Sequence, residues 1–139
     1  MPVVIACRQN MIAIQDTLDV ISGKWRIPII VCLTMRPELS FTELKEELVY
    51  ISAKVLSAEL RFMEENNLVS REVKKTTTLT VKYSLTAYGR TLERLLFSLM
   101  DWGLTHRVQI TGKQALEVSN EDYINALRAN LPPVVPGIV

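Results

Sequence analysis

The sequence predicts a mainly α-helical domain of the α+β class, with two short capped helices, a two-stranded β-hairpin after them, and longer helices on either side. Helix-start signals occur at Ser40 and Ser52. Apolar and polar residues alternate without a miss over residues 79–86, which is the pattern of a half-buried strand. A leucine-rich seam follows over residues 92–102. The 139 residues suit a single domain with its own core.

Two helices are predicted before Ser40. Residues 11–21 carry one apolar stripe at helical spacing and Asn10 is the predicted N-cap; the stripe is formed by Met11, Ile14, Leu18 and Ile21. Ser22-Gly23 interrupts this pattern, and a second, largely apolar helix is predicted from about residue 24 to 34. Pro28 is compatible with the first turn of that helix, where backbone N–H groups have no intrahelical partner.

The next two helices each have their own start signal. Ser40 and Glu43 have the spacing of a capping box, and Leu39 and Leu44 that of a hydrophobic staple. This helix is predicted to end near Tyr50. Ser52 then caps the next helix, with Ile51 and Leu56 as the second staple. Two short helices joined by a tight turn form a helix-turn-helix.

The helix over residues 52–66 has two different faces. The predicted buried stripe is Val55, Leu56, Leu60 and Met63, with Phe62 at its flank. The opposite stripe is Lys54, Ser57, Ala58 and Arg61. Small central side chains allow a helix to enter a DNA groove closely, and lysine or arginine can then reach phosphates or guanine edges. A solvated charged face is the alternative, but the helix-turn-helix context favours a recognition helix.

A basic hairpin follows directly. Asn66-Asn67 can end the helix, and strands are predicted over residues 68–75 and 79–86, joined by a threonine loop. Four basic residues stand here against the single acid Glu72: Arg71, Lys74, Lys75 and Lys82. A positive hairpin in this position is a wing, which contacts the adjacent DNA backbone or minor groove. The hydroxyl of Thr77 can add a phosphate hydrogen bond.

Thr86 is predicted to cap one long helix that runs to about Ile110. Its seam consists of Leu92, Leu95, Leu96, Leu99 and Trp102. A helix of about 24 residues is about 36 Å long, which exceeds what a small domain covers. The surplus apolar surface predicts a two-fold dimer. Residues 1–118 are assigned to this domain, and residues 119–139 to a short helix and a proline-rich tail.

Composition excludes several classes of protein. The net charge is +1, so DNA binding has to come from a local basic patch. No apolar run approaches the roughly 20 residues of a membrane span, and the N-terminus lacks the pattern of a signal peptide, so we expect a cytoplasmic protein. No P-loop, nucleophile elbow or HExxH motif is present, and His106 has no partners at metal-ligand spacing. We therefore expect no enzymatic activity, metal or cofactor.

Four further residues have two interpretations each. Cys7 lies outside the periodic segments next to Arg8; it is a plain terminal thiol or a sensor thiol, which requires a lowered pKa. Cys32 lies among apolar residues, so it is interpreted as a small core residue in preference to a site of thiol chemistry. Trp25 and Trp102 either belong to the core or line a pocket for an effector.

The order of these elements resembles the HxlR-type winged-helix transcriptional regulators, relatives of the MarR group. The resemblance extends over about residues 11–110, and its motifs are specific together: Gly23-Lys24-Trp25, Ile51-Ser52 followed by Leu56, Tyr83-Ser84-Leu85-Thr86 followed by Gly89, and Trp102-Gly103. The family implies a DNA-binding homodimer paired through the first and last long helices, which adds Ile14 and Leu18 to the seam. Some members sense oxidants through a cysteine before the first helix, and Cys7 is in that region.

The sequence therefore predicts a winged helix-turn-helix regulator that binds double-stranded DNA as a homodimer. The predicted DNA contacts are Lys54, Ser57, Ala58 and Arg61 in the groove, Ser40, Thr42, Lys45 and Ser52 near the backbone, and Arg71, Lys74, Lys75, Thr77 and Lys82 on the wing. Two alternatives stay open. One is a winged-helix module used only for protein association; the other is a sensor that responds through a thiol, an oxidant or an unknown small-molecule effector.

Overall fold

The computed structural model describes the backbone of residues 3–111 and the side chains of residues 7–109. The elements in chain order are α1 (Val3–Ile21), α2 (Arg26–Met35), β1 (Leu39–Ser40), α3 (Phe41–Glu47), α4 (Ala53–Glu65), β2 (Val69–Lys75), β3 (Leu79–Leu85), α5 (Ala87–Arg90) and α6 (Leu92–Thr111). The strands form one antiparallel sheet in the order β1-β3-β2. The predicted winged helix-turn-helix, with α3 and α4 followed by a hairpin, is confirmed. The predicted short helix and tail after residue 118 lie outside the described residues.

The predicted caps of α3 and α4 are present. The Ser40 hydroxyl accepts a hydrogen bond from the Glu43 N–H, and the Glu43 carboxylate accepts one from the Ser40 N–H, which completes the capping box. The Ser52 hydroxyl accepts from the Val55 N–H in the same way. At the far end of α4, Asn67 has a positive φ of 57°, as expected for an asparagine that ends a helix. Local side-chain chemistry thus sets the limits of the helix-turn-helix.

The N-terminal helix is longer than its sequence signals indicate. It begins at Val3, so the predicted cap Asn10 lies in the middle of α1 and Cys7 lies within the helix. The prediction was wrong because asparagine disfavours a helix interior only weakly, and no glycine or proline separates residues 3 and 10. After α1, Gly23 adopts a positive φ of 96°. Helix α2 then begins at Arg26, which places Pro28 in its first turn as predicted.

The sheet has a third strand that was not predicted. Strand β1 pairs Leu39 with Tyr83 and Ser40 with Lys82. Two residues are too few to show an alternating pattern, and these two also belong to the start signal of α3. Helix α3 ends at Glu47, earlier than the predicted Tyr50. The sheet is thus anchored directly to the start of the helix-turn-helix.

The predicted long C-terminal helix is divided in two. Thr86 caps the short α5, where its hydroxyl accepts from the Gly89 N–H, and the chain turns at Thr91 before α6 begins. The Thr91 hydroxyl donates to the Tyr88 carbonyl and stabilises this turn. The apolar periodicity continues across the break, so hydrophobic spacing alone gives no sign of it.

The core lies between α2, α3, α4 and the sheet. Its fully buried side chains include Ile29, Leu33, Leu44, Leu56 and Met63. Of the predicted apolar positions, Val55 is 37% exposed in the first turn of α4, and the prediction that it is buried was wrong. Leu79 is 73% exposed at the wing, so the predicted half-buried strand is buried only toward Leu85.

Arg26 joins three helices at the edge of the core. Its Nε donates to Glu59 Oε2 at 2.8 Å, and its Nη1 donates to the Asp19 carbonyl at 2.8 Å. The guanidinium also lies 3.5 Å from the ring centroid of Phe62, a cation–π contact. The end of α1 is therefore fixed to the flank of α4, beside the face that was predicted to meet DNA.

Candidate nucleic-acid interface

The predicted recognition face of α4 is exposed along its whole length. Lys54, Ser57, Ala58 and Arg61 all face solvent, while Leu56, Leu60 and Met63 are buried. The charged and the small side chains thus share one side of the helix, and α4 is attached to the core by the other. This arrangement leaves the stripe open to a flat or grooved partner.

The turn between α3 and α4 adds polar groups beside that stripe. Thr42, Lys45 and Ser52 line a shallow depression together with Tyr50, which is 89% exposed. The hydroxyls of Ser40 and Ser52 already accept from backbone N–H groups, but each can still donate. Tyr50 was not predicted as part of this surface. It lies in a turn, and the residues around it have no periodicity that would indicate the direction of its ring.

The wing has two chemically different faces. Residues paired across antiparallel strands lie on the same face. One face carries Arg71 opposite Tyr83 and Lys75 opposite Leu79. The other face carries Glu72 opposite Lys82 and Lys74 opposite Thr80. The four predicted basic contacts of the wing are therefore divided equally between the two faces.

The lysines on the second face are held by acids from elsewhere in the chain. Lys74 Nζ lies 2.6 Å from Glu38 Oε1, and this hydrogen bond raises the pKa of Lys74. Lys82 Nζ lies 2.9 Å from Glu43 Oε2. These pairs join residues 36 and 39 positions apart, so the local sequence shows the lysines without their partners. The charge of this face is largely neutralised.

The first face of the wing adjoins α4. Arg71 and Tyr83 line one groove with residues of α4, and the full lining is Ser57, Leu60, Arg61, Glu64, Arg71 and Tyr83. Within the described part of the chain, five of the predicted basic residues take part in no ion pair: Lys45, Lys54, Arg61, Arg71 and Lys75. Thr77, at the tip of the loop, is also exposed. These five predicted contacts lie on α3, α4 and one face of the wing, beside unpaired acids such as Glu64; Arg8, Lys24 and Arg94, elsewhere in the described residues, also take part in no ion pair.

Glu43 connects the helix-turn-helix to the wing. Its carboxylate accepts from the Ser40 N–H at 2.7 Å, from Lys82 Nζ at 2.9 Å and from Arg36 Nη2 at 3.0 Å. The backbone hydrogen bond from Ser40, followed by that from Lys82, lowers the pKa of Glu43 to about 2. One carboxylate therefore holds the end of α2, the start of α3 and strand β3 together.

A pH dependence of stability follows from Glu43. Because its pKa in the folded protein is below the ordinary value of 4.5, its contribution is complete above pH 4.5 and is lost as the pH falls toward 2. We expect Glu43→Gln to lower the thermal midpoint at pH 7, with the difference from wild type shrinking below pH 4. Thermal unfolding followed by circular dichroism between pH 2.5 and pH 7 (about half-unit steps) measures this. Glu46→Gln on the same helix is the control, and an equal pH profile for both variants would contradict the assignment.

The predicted dimer residues fall into two groups. On α1, Met11, Ile14 and Leu18 are exposed, and on α6 Leu99 is exposed and Trp102 is 67% exposed. Leu95 is partly exposed. Leu96, in contrast, is buried in the protomer's own core, and Leu92 packs against that core. Apolar surface thus remains on both long helices, with one stripe of α6 already used within the protomer.

The two tryptophans have different surroundings. Trp25 is half-buried against the core, and the Lys24 ammonium lies 5.0 Å from its ring centroid. Trp102 stacks on His106 with the ring centroids 4.7 Å apart. No group of side chains that could hold a metal ion occurs among the described residues. No helix in that part of the chain is long and apolar enough to cross a membrane.

The two thiols also differ. Cys7 is exposed and, at helical spacing, continues the α1 stripe of Met11, Ile14 and Leu18. The prediction that it lies outside a periodic segment was wrong, because α1 extends further than predicted. Cys32 is partly buried in α2, and burial is the main cause that raises the pKa of its thiol. The thiol of Cys7 is therefore the more accessible of the two to reagents.

Comparison with known proteins identifies the family. The model of the HxlR-like helix-turn-helix family matches residues 20–111. The chain belongs to this family. It is 33% identical over 114 residues to the HTH-type transcriptional regulator YtcD of Bacillus subtilis, a match that covers 82% of this chain and 89% of YtcD. It is 34% identical over 98 residues to YdzF of the same organism, covering 70% of this chain and 90% of YdzF.

Solved structures of regulators have the same fold. The redox regulator HypR in its reduced form superposes with a TM-score of 0.65 at 32% identity, covering 73% of this chain and 99% of HypR. Reduced YodB of Bacillus subtilis gives a TM-score of 0.62 at 28% identity, covering 70% of this chain and 90% of YodB. The HxlR-type chain is thus a transcriptional regulator of the helix-turn-helix type, and its mainly helical winged fold is that of its relatives.

Proposed function

We propose that this HxlR-type regulator binds double-stranded DNA as a homodimer, with α4 in the major groove and one face of the wing on the adjacent DNA. The observation that carries the proposal is the distribution of charge. Five of the predicted basic contacts keep a free charge on α3, α4 and one wing face, although the whole chain has a net charge of only +1. The phosphate backbone of double-stranded DNA matches this pattern, because local positive charge drives phosphate binding.

The roles within the interface follow from position. Lys54, Ser57, Ala58 and Arg61 are the groove-facing residues, since they form the exposed stripe of α4. Thr42, Lys45 and the hydroxyls of Ser40 and Ser52 are placed to contact the backbone beside it, and Tyr50 joins them. On the wing, Arg71, Lys75 and Thr77 replace the broader predicted set. Lys74 and Lys82 support the wing through Glu38 and Glu43.

Dimerisation is supported by the surface that each protomer leaves uncovered. Apolar side chains of α1 and α6 are exposed over several turns, among them Ile14, Leu18, Leu99 and Trp102. Exposed apolar patches of this kind mark protein–protein contacts, and a two-fold pairing is the commonest solution. Such a dimer would present two copies of α4 about 34 Å apart, in successive major grooves.

Arg61 and Lys75 test the interface in different ways. If Arg61 contacts a base, Arg61→Ala should cost about 1–3 kcal/mol of specific binding and relax the sequence preference at one position. Lys75→Ala should weaken all sequences alike and reduce the slope of log K against log salt by about one. Fluorescence anisotropy measures both, on a duplex selected from random DNA and on a scrambled duplex.

Lys74→Ala is the matched control, since Lys74 is the neighbour of Lys75 on the opposite, acid-paired face. It should change the salt slope by clearly less than Lys75→Ala does. Wild-type-like binding by both the Arg61 and the Lys75 variants would contradict this placement. A wild-type protein with no salt-dependent DNA binding would instead favour the alternative of a module used only for protein association.

A thiol response is the second candidate function. Cys7 is exposed on α1, and the structurally similar HypR is named a redox regulator. YodB has been solved in a diamide-treated and in a quinone-bound form. We expect mild diamide or quinone to modify Cys7 before Cys32, because burial raises the pKa of Cys32. Intact-mass spectrometry of wild type and Cys7→Ser measures this, and an unmodified Cys7 would end this hypothesis.

A further inference from the structure

Glu64 is an acid in the groove between α4 and the wing, which it lines together with Arg61 and Arg71. Its side chain is exposed, and within the described part of the chain it takes part in no ion pair. Glu38 and Glu43, in contrast, each hold a lysine of the wing. One carboxylate and two guanidinium groups therefore share the α4–wing groove without an ion pair between them.

Glu64 also has an unfavourable position within its helix. It lies with Glu65 in the last turn of α4, which contains no basic residue. The dipole of a helix favours positive charge at this end and disfavours negative charge. Because the carboxylate has neither an ion pair nor a favourable place in the helix, its charge does not stabilise the free protein. A residue that breaks local rules in this way is typical of a functional position.

Helical spacing places Glu64 beside the stripe that is proposed to face DNA. Ser57, Arg61 and Glu64 follow one another at intervals of four and three residues, so their side chains lie along one side of α4. The rise of about 1.5 Å per residue puts Glu64 about 4.5 Å beyond Arg61 along the helix axis. Successive base pairs are about 3.4 Å apart. If Arg61 contacts a base in the major groove, Glu64 therefore lies within reach of the next base pair.

We propose that the Glu64 carboxylate determines specificity by accepting a hydrogen bond from the amino group of a cytosine in the major groove. The inference rests on the proposed binding of α4 in that groove. An ionised carboxylate only accepts hydrogen bonds. The major-groove edge of cytosine offers only a donor, N4, whereas guanine and thymine offer acceptors, and adenine places the acceptor N7 beside its amino group. Cytosine is therefore the base that a lone carboxylate matches best.

The same carboxylate discriminates against other sequences. On a duplex with a different base at that position, Glu64 would lose water without gaining a donor, and an unpaired charge at an interface is costly. It would also lie close to phosphates that Arg61 and Arg71 attract. Specific interfaces use such unpaired charges to reject wrong partners. Glu64 therefore weakens binding to most sequences, and only a cytosine offsets this cost.

Removal of the charge should reduce specificity more than affinity. We expect Glu64→Gln to bind a scrambled duplex about 3- to 10-fold more tightly than wild type, because a repulsive charge is removed. It should bind the duplex selected by the wild-type protein about 2- to 5-fold more weakly, because a charge-assisted hydrogen bond is lost. The ratio of the two affinities should thus fall about 5- to 50-fold. Fluorescence anisotropy on both duplexes measures this ratio, and circular dichroism checks that the variant is folded.

Base substitution identifies the contact. Selection from random DNA should give a cytosine at one position of each half-site for the wild-type protein and no preference there for Glu64→Gln. Replacing this C·G pair by T·A exchanges the donor N4 for the acceptor O4. We expect the replacement to weaken binding of the wild-type protein at least about 10-fold and that of Glu64→Gln less than about threefold. Glu65→Gln is the matched control and should keep the cytosine preference, since Glu65 is the neighbouring exposed acid and does not line the groove.

Three results would overturn this inference and leave the proposed function intact: a selected duplex without such a cytosine, a Glu64→Gln protein that keeps the cytosine preference, or an equal loss of that preference in Glu65→Gln. The last would assign the effect to negative charge at the end of α4 in general. Failure of the proposed function gives a different result, because the wild-type protein would then select no duplex from random DNA.

Discussion

Replacing Gly89 by alanine is expected to destabilise the protein by more than about 3 kcal/mol. A Cβ atom at this position would lie 2.1 Å from the Leu68 carbonyl oxygen and 2.9 Å from the Leu68 carbonyl carbon. The obstacle is backbone, which cannot rotate away as a side chain can. That carbonyl also accepts the Thr86 N–H at 3.0 Å, so moving it would disturb the junction between the sheet and α5.

Chemical denaturation at neutral pH, followed by circular dichroism, measures the effect. Gly103→Ala is the matched control, because a Cβ there meets nothing within 4 Å. Since Gly103 lies inside helix α6, alanine should stabilise the protein by about 0.5–1 kcal/mol. Opposite signs for the two variants are therefore expected. A Gly89→Ala protein with the wild-type denaturation midpoint would show that the Leu68 carbonyl can move away from residue 89 at little cost.

Ile14→Asp is expected to convert the proposed dimer to a monomer and to weaken binding to a palindromic duplex by roughly 10²- to 10⁴-fold. Ile14 is 53% exposed at the middle of the α1 stripe, so the change leaves the protomer's core intact. In a dimer paired through α1, a buried and unpaired carboxylate carries a large desolvation cost. Loss of pairing also removes the second half-site, which accounts for the size of the effect on DNA binding.

Sedimentation equilibrium and anisotropy on the same samples measure the two parts of this prediction. Gln9→Asp is the control, because Gln9 is exposed on the opposite side of the helix and gains the same charge. It should remain dimeric. If Ile14→Asp stays dimeric as well, α1 does not form the interface. If it is monomeric but keeps full affinity, the protein binds DNA without using two half-sites.

The elements set by local chemistry could be predicted from the sequence. Ser40 and Ser52 mark helix starts, since a hydroxyl before an apolar run has few other local uses. The features set by tertiary contact could not. Strand β1 is only two residues long, and the break at Thr91 interrupts no hydrophobic pattern. Gly89 appears in the sequence as a family motif, but its reason, the Leu68 carbonyl, lies 21 positions earlier.

The candidate interface shows the same division. The stripe of α4 followed directly from helical spacing, because every member belongs to one element. The wing residues did not, because the partners of Lys74 and Lys82 are acids far away in sequence. Whether a basic residue of a hairpin is free to contact DNA therefore depends on whether an acid lies beside it in the folded protein. Val55 and Leu79 illustrate the converse, since apolar residues at predicted core positions are exposed where the core ends.

The hydrogen bonds of the Glu43 carboxylate reduce the conformational entropy that the protein would lose on binding DNA. Because this carboxylate ties α2, α3 and β3 to one point, the elements proposed to meet a half-site are already assembled before DNA arrives. Binding then has to order little more than surface side chains and the threonine loop, and less of the interaction energy is spent on ordering. If this chain binds DNA as proposed, its operator preference can therefore change through exposed side chains alone, without rebuilding the frame that presents them.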